Sequence, residues 1–455
     1  MAKIVEICRT EIMQRNLTKG PITIQILLFA LPLMLGNLLQ QMYNIADMWV
    51  VGQFLGADAL AAVGSSYTLM TFLTSILIGL CMGNGAAISM QYGSGNYPKI
   101  RQSVFMSLTL IGGITIVINV LVYVCFSGIL WVLQIPQEIR PLMKDYLMII
   151  FLGIPATCLY NYFANLLRAV GNSVIPLIFL AVSSILNVIM DLFFVLCLHW
   201  GIPGAAFATI LSQWIASVGI VIYTMLCFRE LLPGREDLHF TRSTLKEISN
   251  LSILTCLQQS IMNFGILMVQ GLINSFGTSV MAAFATAVKI DSFAYMPVQD
   301  FGNAFSTFVA QNYGANQKER IRKGIRSAVA ASGLFSLFIS GLVFVFAHPL
   351  MRIFIPASET EVIRIGVEYL HIEGSCYIGI GILFLLYGYY RAVNRPGISI
   401  TLTIASLGTR VLLSYVLSAI PVLGTTGIWM SIPIGWFLAD GIGIGIYFYH
   451  RSTRH

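Results

Sequence analysis

Long apolar runs separated by short polar breaks make up most of this chain. A helix of about 20 apolar residues is long enough to cross a bilayer, and the pattern predicts twelve such spans. They cover residues 22–46, 57–85, 103–126, 143–167, 174–198, 204–228, 247–271, 279–310, 325–347, 363–390, 397–420 and 426–449. The sequence therefore predicts an all-α polytopic membrane protein with twelve transmembrane helices.

Composition and charge agree with this prediction. Hydrophobic residues make up 57% of the 455 positions and charged residues only 10%, which is far too little charge for the surface of a soluble protein. Of the 26 Lys and Arg, 20 fall in the loops on the side of the two termini and 4 on the other side. The positive-inside rule then places both termini in the cytoplasm. We expect a multi-pass protein of a prokaryotic plasma (inner) membrane, without a cleaved signal peptide.

The two halves of the chain repeat each other. The segment GADALAA at 56–62 matches GTSVMAA at 277–283 with an offset of 221 residues, and RAV recurs at Arg168 and Arg391 with an offset of 223. Each half holds six spans, so the halves should have the same orientation and be related by a pseudo-twofold along the membrane normal. The predicted division is an N-terminal segment at 1–21, an N-lobe at 22–228, a linker at 229–246, a C-lobe at 247–450 and a tail at 451–455, with segment, linker and tail cytoplasmic.

The first span carries a polar stripe on one helical face. Asn37, Gln40, Asn44 and Asp47 fall at i, i+3, i+7 and i+10. A carboxylate facing lipid would cost about 2.5 to 3.5 kcal/mol, so this stripe should face a cavity or a partner helix. The alternative is that Asp47 lies at the helix end, near the outer interface.

A second stripe runs along the fifth span, where Ser183, Asn187 and Asp191 fall at i, i+4 and i+8. If the two stripes face each other they enclose an acidic pocket, in which Tyr146 and Thr209 supply further polar contacts. A buried carboxylate is a natural proton carrier, and protonation would remove the counter-charge of a bound cation. The alternative for Asp191 is a buried structural hydrogen bond.

The second half has its own ionisable side chains. Glu373 and Arg410 carry opposite charges on neighbouring spans, which predicts a buried pair that holds the bundle together; a cation site at Glu373 is the alternative. Asp440 is a further candidate for an ionisable side chain with a functional role in the second half. Lys289 and Asp291 are two positions apart and should not face each other on one helix.

The sequence has no motif for enzyme chemistry. It lacks a GxxxxGK[ST] phosphate loop, an HExxH zinc motif and a GxSxG nucleophile motif. Its eight cysteines are scattered, which predicts neither disulfides nor a metal site, and its basic residues lie in short loops, which argues against a nucleic-acid partner. We expect no enzyme and no cofactor, but a transporter driven by a proton or sodium gradient. An intramembrane enzyme or a receptor is the rival class.

These residues resemble the multidrug and toxic compound extrusion (MATE) family. The similar motifs are GADALAA, the pair QYGSGN at 91–96 and QNYGAN at 311–316, RAVGN at 168–172 with RAVNRPG at 391–397, and GIPGAAFAT at 201–209. The resemblance implies a V-shaped pair of six-helix lobes that exports lipophilic organic cations by antiport and alternating access. A monomer is expected.

The resemblance also implies a branch and a site. The first-span Asp47 with Asn187 and Asp191 in the fifth span looks like the DinF-type prokaryotic set, with Tyr146 and Thr209 carried over beside it. The NorM-type branch has a carboxylate in the seventh span, where this chain has Gln258 and Gln259. Proton coupling through the N-lobe is therefore favoured over sodium coupling. A flippase for a lipid-linked or amphipathic substrate remains as a further alternative.

Overall fold

A computed structural model describes residues 15–132, 137 and 139–452, so the predicted N-terminal segment is described from Arg15 and the tail as far as Ser452. All regular secondary structure in this part of the chain is helical. The helices are α1 Ile22–Leu55, α2 Ala57–Gly93, α3 Tyr97–Val124, α4 Phe126–Val132, α5 Arg140–Ile150, α6 Ile154–Ala169, α7 Val174–Leu192, α8 Gly201–Cys227, α9 Arg242–Asn274, α10 Thr278–Gly314, α11 Lys318–Phe354, α12 Thr360–Gly374, α13 Tyr377–Ala392, α14 Pro396–Ser418 and α15 Gly424–Ser452.

Every predicted span coincides for most of its length with one of these helices or with a pair of them. Among the described residues, ten segments are long and apolar enough to cross a bilayer, and the bent pair α12 and α13 would make eleven. Helix α10 is 37 residues long but is not among them; it carries Lys289, Asp291 and Asp300. The prediction of an all-α polytopic membrane protein is confirmed.

Two predicted spans are broken near their middle. The span at 143–167 consists of α5, a 3-10 turn at Phe151–Gly153 and α6, which has Pro155 in its first turn. The span at 363–390 bends by 52° between α12 and α13. A proline lacks the N–H that would continue the helical hydrogen bonds, which accounts for the first break. The sequence pattern predicted the extent of these two spans but did not indicate the breaks within them.

The internal repeat is visible in the backbone as well as in the sequence. Left-handed residues, with φ between +48° and +98°, recur in the loops at the repeat offsets. The pairs are Gly56 with Gly277, Gly95 with Asn316, Gly171 with Asn394, and Gly201 with Gly424. Asn is the non-glycine residue that tolerates this conformation best, so its use at two positions keeps the loop geometry where the sequence differs. Equivalent loops in the two halves therefore have the same local fold.

The described residues form two compact units that divide the chain inside two helices. One unit contains Arg15, Asn16 and Leu31–Cys256, and the other contains Leu17–Ala30 and the chain from Leu257 onward. The first quarter of α1 thus packs with the second unit, and the first half of α9 packs with the first unit. The predicted lobes at 22–228 and 247–450 divide the chain between helices instead.

Glycines make the close packing of α9 in the first unit possible. A Cβ at Gly83 would lie 2.3 Å from the carbonyl oxygen of Leu251 and 2.5 Å from Cα of Ser252. A Cβ at Gly79 would lie 2.6 Å from Cα of Cys256. These neighbours are backbone atoms that cannot rotate away. Small residues let helix backbones approach each other in this way in membrane proteins.

We therefore predict that Gly83→Ala destabilises the protein by roughly 1 to 3 kcal/mol, because the added methyl must push α9 away from α2. Thermal unfolding of the purified protein in detergent measures the loss. The matched control is Gly112→Ala in α3, where a Cβ would meet no atom within 4 Å; it should be neutral or slightly stabilising. Equal melting temperatures for the two variants would contradict the packing argument.

Candidate functional site

The polar face of α1 ends in a carboxylate that is half-buried in the first unit. Asp47 and Asn44 are half-buried, whereas Gln40 is exposed. Asn44 Nδ2 donates a hydrogen bond to Gln41 Oε1 at 3.4 Å, so Gln41, which the helical spacing did not select, also takes part. Asn37 is half-buried as well. Three of the four stripe residues are thus half-buried, and Gln40 alone among them is exposed.

Asp47 meets the carboxyl group of Asp191. The side chain of Asp191 on α7 is fully buried, and the two carboxyl groups lie within hydrogen-bonding reach of each other. Two ionised carboxylates are acceptors only and repel each other, so a hydrogen bond between them needs a proton on one of the two. The structure thus brings the two predicted acids into one site, and Asp47 is not an isolated charge at a helix end.

The polar face of α7 contacts α8 along its length. Asn187, which is 1% exposed, donates from Nδ2 to Thr209 Oγ1 at 3.4 Å. Thr209 in turn donates to the carbonyl oxygen of Ala205 at 3.1 Å. One turn earlier, Ser183 Oγ donates to the carbonyl oxygen of Ser212 at 3.0 Å. These contacts fix the rotation of α7 and direct Asp191 towards α1. A π turn at Phe193–Cys197 follows Asp191 directly; such turns are frequent at functional sites.

Phenol side chains surround the two carboxyl groups. Tyr146 on α5 is buried and lies near both Asp47 and Asp191. Tyr43 on α1, one helical turn before Asp47, also lies near both acids and near Tyr67 on α2. Tyr146 was predicted from the family resemblance, whereas Tyr43 and Tyr67 were missed. The i, i+4 spacing of Tyr43 and Asp47 was the available signal for the first of them.

With both acids counted as ionised acceptors, several polar atoms of this site receive no hydrogen bond from the described residues. They are both carboxyl oxygens of Asp191, Asp47 Oδ1 and Asn187 Oδ1. In the described part of the chain, no Lys or Arg forms an ion pair with either acid. Buried acceptors without donors are costly, so the arrangement suits binding of a proton or a cation better than a purely structural role.

The second unit contains a separate buried cluster around Glu373. Glu373 on α12 is 3% exposed and Asp291 on α10 is 5% exposed. They lie within range of each other's charge and of Arg410 on α14. Tyr369 contacts Glu373, and Tyr377 lies beside Asp291. Three charged side chains from three helices thus share one interior site.

The predicted direct pair of Glu373 with Arg410 was wrong. Across the described residues, no ion pair with a nitrogen–oxygen distance of 4.0 Å or less joins them. Asp291, which the sequence pattern left without a partner, lies within range of the same guanidinium, so Glu373 and Arg410 do not form an isolated pair. The expectation that Lys289 and Asp291 point apart agrees with the structure, since Lys289 is exposed and Asp291 is buried.

Asp440 lies apart from this cluster. It is 4% exposed on α15, neither carboxyl oxygen has a hydrogen-bond partner, and the phenol of Tyr387 lies near it. The structure therefore does not combine the three C-lobe candidates Glu373, Arg410 and Asp440 into one site.

The fold and the duplicated halves define a class of membrane transporter, and sequence comparison identifies the family. The MatE family model matches residues 32–193 and 251–416, which together cover more than half of the chain. The chain belongs to the MATE family of membrane transporters.

Individual proteins show the same relationship over nearly the whole length. The chain is 29% identical over 441 residues to the probable multidrug resistance protein YpnP of Bacillus subtilis, covering 96% of this chain and 97% of that protein. It is 23% identical over 446 residues to the FAD transporter of Shewanella oneidensis, covering 96% of each. A solved outward-facing conformation of a multidrug resistance MATE family transporter of the MOP superfamily is similar with a TM-score of 0.89, 22% identity, and coverage of 96% of this chain and 97% of that one. This last likeness establishes the fold.

The contact of the two carboxyl groups has a consequence for stability. Because this contact needs a proton, the melting temperature should fall as the pH rises and two negative charges come to face each other. In Asp191→Asn an amide N–H replaces the proton, so we predict a flatter pH dependence of thermal unfolding. Asp58→Asn, an exposed acid in the first turn of α2, should keep the original slope. An unchanged slope in Asp191→Asn would contradict the shared proton.

Proposed function

We propose that this protein is a secondary active multidrug exporter that moves lipophilic organic cations out of the cell in exchange for protons. Exchange proceeds by alternating access, through the N-lobe site of Asp47 and Asp191. No cofactor takes part, and the proton gradient supplies the energy. The protein acts as a monomer and not as an enzyme. The observation that carries this proposal is the contact of two acids that needs one proton to form.

A shared binding site explains the exchange. With one proton the pair carries a single negative charge, and loss of that proton adds a second. A lipophilic cation then supplies the counter-charge that the proton supplied before. Proton and cation therefore compete for the same carboxylates, and a ligand that binds one protonation state better shifts the balance between the two. Competition at one site is sufficient for antiport.

The surroundings of the pair suit an organic cation. Tyr43 and Tyr146 place aromatic rings near both acids, and cations bind favourably over aromatic faces. Asn187 and Thr209 orient the α7 side of the site through their hydrogen bond. The set of Asp47, Asn187 and Asp191 supports placing the chain in the DinF-type branch. The name of YpnP as a multidrug resistance protein agrees with this substrate class.

Sodium-coupled antiport is the second candidate, and the buried cluster of the second unit favours it. Asp291 and Glu373 place two carboxyl groups within range of a single guanidinium, that of Arg410, and carboxylate oxygens are the ligand type that hard cations prefer. A flippase or a carrier of an anionic amphipathic substrate is less well supported. The FAD transporter of Shewanella oneidensis is a relative named for such a substrate, but two carboxylates would repel a phosphate group.

The orientation of the chain belongs to this proposal. We place both termini in the cytoplasm and the protein in the inner membrane of a prokaryote, because 20 of 26 basic residues lie in loops on the side of the termini.

The central prediction is that Asp47→Asn abolishes export of a lipophilic cation such as tetraphenylphosphonium. The amide cannot lose a proton, so the site no longer gains the charge that attracts the cation. Transport by purified protein in liposomes measures the effect. Asp58→Asn is the matched control, since it removes an exposed acid of α2, and it should transport at the wild-type rate. Normal export by a correctly folded Asp47→Asn variant would remove Asp47 from the mechanism.

The coupling ion is determined in the same liposomes with the two gradients imposed separately. We expect a proton gradient to accelerate uptake at constant sodium, and a sodium gradient at constant pH to have no effect. Acceleration by sodium alone would overturn the proton assignment. In that case Glu373→Gln should abolish the sodium effect, which would place coupling in the second unit.

Reporter fusions check the orientation. Alkaline phosphatase, which is active only outside the cytoplasm, should be inactive after His455 and active when inserted at Ala357, in the segment between α11 and α12. The reverse pattern would mean that the basic residues do not set the topology.

A further inference from the structure

The segment that leads into α1 is held by one arginine of the second unit. The Arg320 guanidinium donates to the carbonyl oxygen of Leu17 at 3.3 Å from Nε and at 3.2 Å from Nη2. It also donates to the carbonyl oxygens of Lys19 and Gly20, each at 2.8 Å. One side chain thus binds three backbone groups of a four-residue stretch. Because all three acceptors are carbonyl oxygens, the hold does not depend on the side chains of this stretch.

Two side chains of the QNYGAN motif form further hydrogen bonds with the same stretch. Gln311 Oε1 accepts a hydrogen bond from the N–H of Leu17 at 3.2 Å, and Asn312 Nδ2 donates to the carbonyl oxygen of Leu17, also at 3.2 Å. The Leu17 side chain is fully buried. The Arg320 guanidinium lies 5.6 Å from the ring centre of Phe308, within the range of a cation–π contact. The motif that marks the repeat in the sequence therefore binds the polypeptide that enters α1.

In the first unit, side chains of α3 hold the segment that leads into α9 together with the second turn of α9 itself. Lys99 Nζ forms an ion pair with Glu247 at 2.7 Å, and Arg101 Nε forms one with Asp237 at 2.9 Å. Gln102 Nε2 donates to Thr241 Oγ1 at 2.6 Å. The N–H of Gly234, together with Arg101, holds the pKa of Asp237 below its usual range, so this carboxylate stays ionised at cytoplasmic pH.

The contacts made by Lys99 and by Arg320 lie at equivalent positions of the internal repeat. Lys99 and Arg320 are 221 residues apart, which is the repeat offset, and each is the third residue of its helix, α3 or α11. Each half of the chain therefore uses a cation at the same position to bind the start of the first helix of the other half or the residues just before it. Arg320 binds the segment before α1, and Lys99 binds Glu247 in the second turn of α9. A shared position with a shared task is not explained by packing alone, because the two segments differ in sequence and in the groups they offer.

We propose that Arg320 and Lys99 are positioning residues for transport, and that release of the segments they hold is a step of the transport cycle. Helix α1 connects the segment that Arg320 holds to the carboxylate site, since its beginning packs with the second unit and its end carries Asp47. Carbonyl oxygens released by Arg320 can bond to water at the membrane surface, so the hold is reversible. The proposal requires transport but neither proton coupling nor the carboxylate site.

Trypsin cleavage after Lys19 reports whether Arg320 holds the segment. In the wild-type protein at rest this bond should be protected, and Arg320→Gln should be cleaved about tenfold faster, because four charge-assisted hydrogen bonds to three carbonyl oxygens are lost. Arg320→Lys, which has a charge but no planar fork, should be intermediate. The matched control is Arg326→Gln on the same helix, an exposed arginine without an ion pair in the described residues; it should behave as wild type.

Transport measurements separate a positioning role from an anchoring role. We expect Arg320→Gln to lower kcat severalfold with an unchanged KM. In the wild-type protein, trypsin should cleave the bond after Lys19 faster when substrate and an ion gradient drive turnover than at rest. Faster cleavage with an unchanged kcat, or equal wild-type protection at rest and during turnover, would overturn the proposal. If Arg320→Gln does not fold, Lys99→Gln is used in its place, with trypsin cleavage after Lys246 and kcat as the two measurements, and the same outcomes support or overturn the proposal. A loss of coupling between the ion gradient and the substrate would not by itself speed up trypsin cleavage of the Arg320→Gln variant, so failure of the proposed function can be told apart from failure of this proposal.

Discussion

Polar groups inside apolar helices must find their partners within the chain, because hydrocarbon offers none. This constraint shapes most of the structure. It rotates α7 so that Ser183 and Asn187 bond to α8, and this rotation brings Asp191 to Asp47. It also explains why Asp291 and Glu373 lie near Arg410 in the interior of the second unit. The two clusters differ in one respect that matters for function, since only the second contains its own cation.

Much of the fold follows from the sequence because the constraint acts on each helix separately. A run of about 20 apolar residues defines a helix without knowledge of its neighbours, and the repeat offset identifies equivalent loops. The helix breaks were harder to predict. Pro155 is an ordinary first-turn proline once α6 is recognised, but the apolar pattern continues through the break without change.

The site was predictable where it followed helical spacing and obscure where it depended on contacts between helices. Asp47, Asn187 and Asp191 stand out as polar positions in apolar runs. The phenols of Tyr43 and Tyr67 do not, since tyrosine is common in such helices. The predicted ion pair of Glu373 with Arg410 was wrong for a related reason. Opposite charges on neighbouring spans suggest a pair, but the sequence does not show that Asp291 also lies near Arg410. Spacing gives the face of a helix, and only the packed structure gives the partner.

The division of α1 and α9 between the two compact units bears on the origin of the chain. A fragment cut at the linker would lack a stretch of helix that completes its core, and the other fragment would carry that stretch. Such an exchange has the form of a domain-swapped dimer. A gene duplication that joined two swapped subunits would produce this connectivity directly, and the linker at 229–246 would be the junction. The two halves of the chain would then have depended on each other before they became one polypeptide.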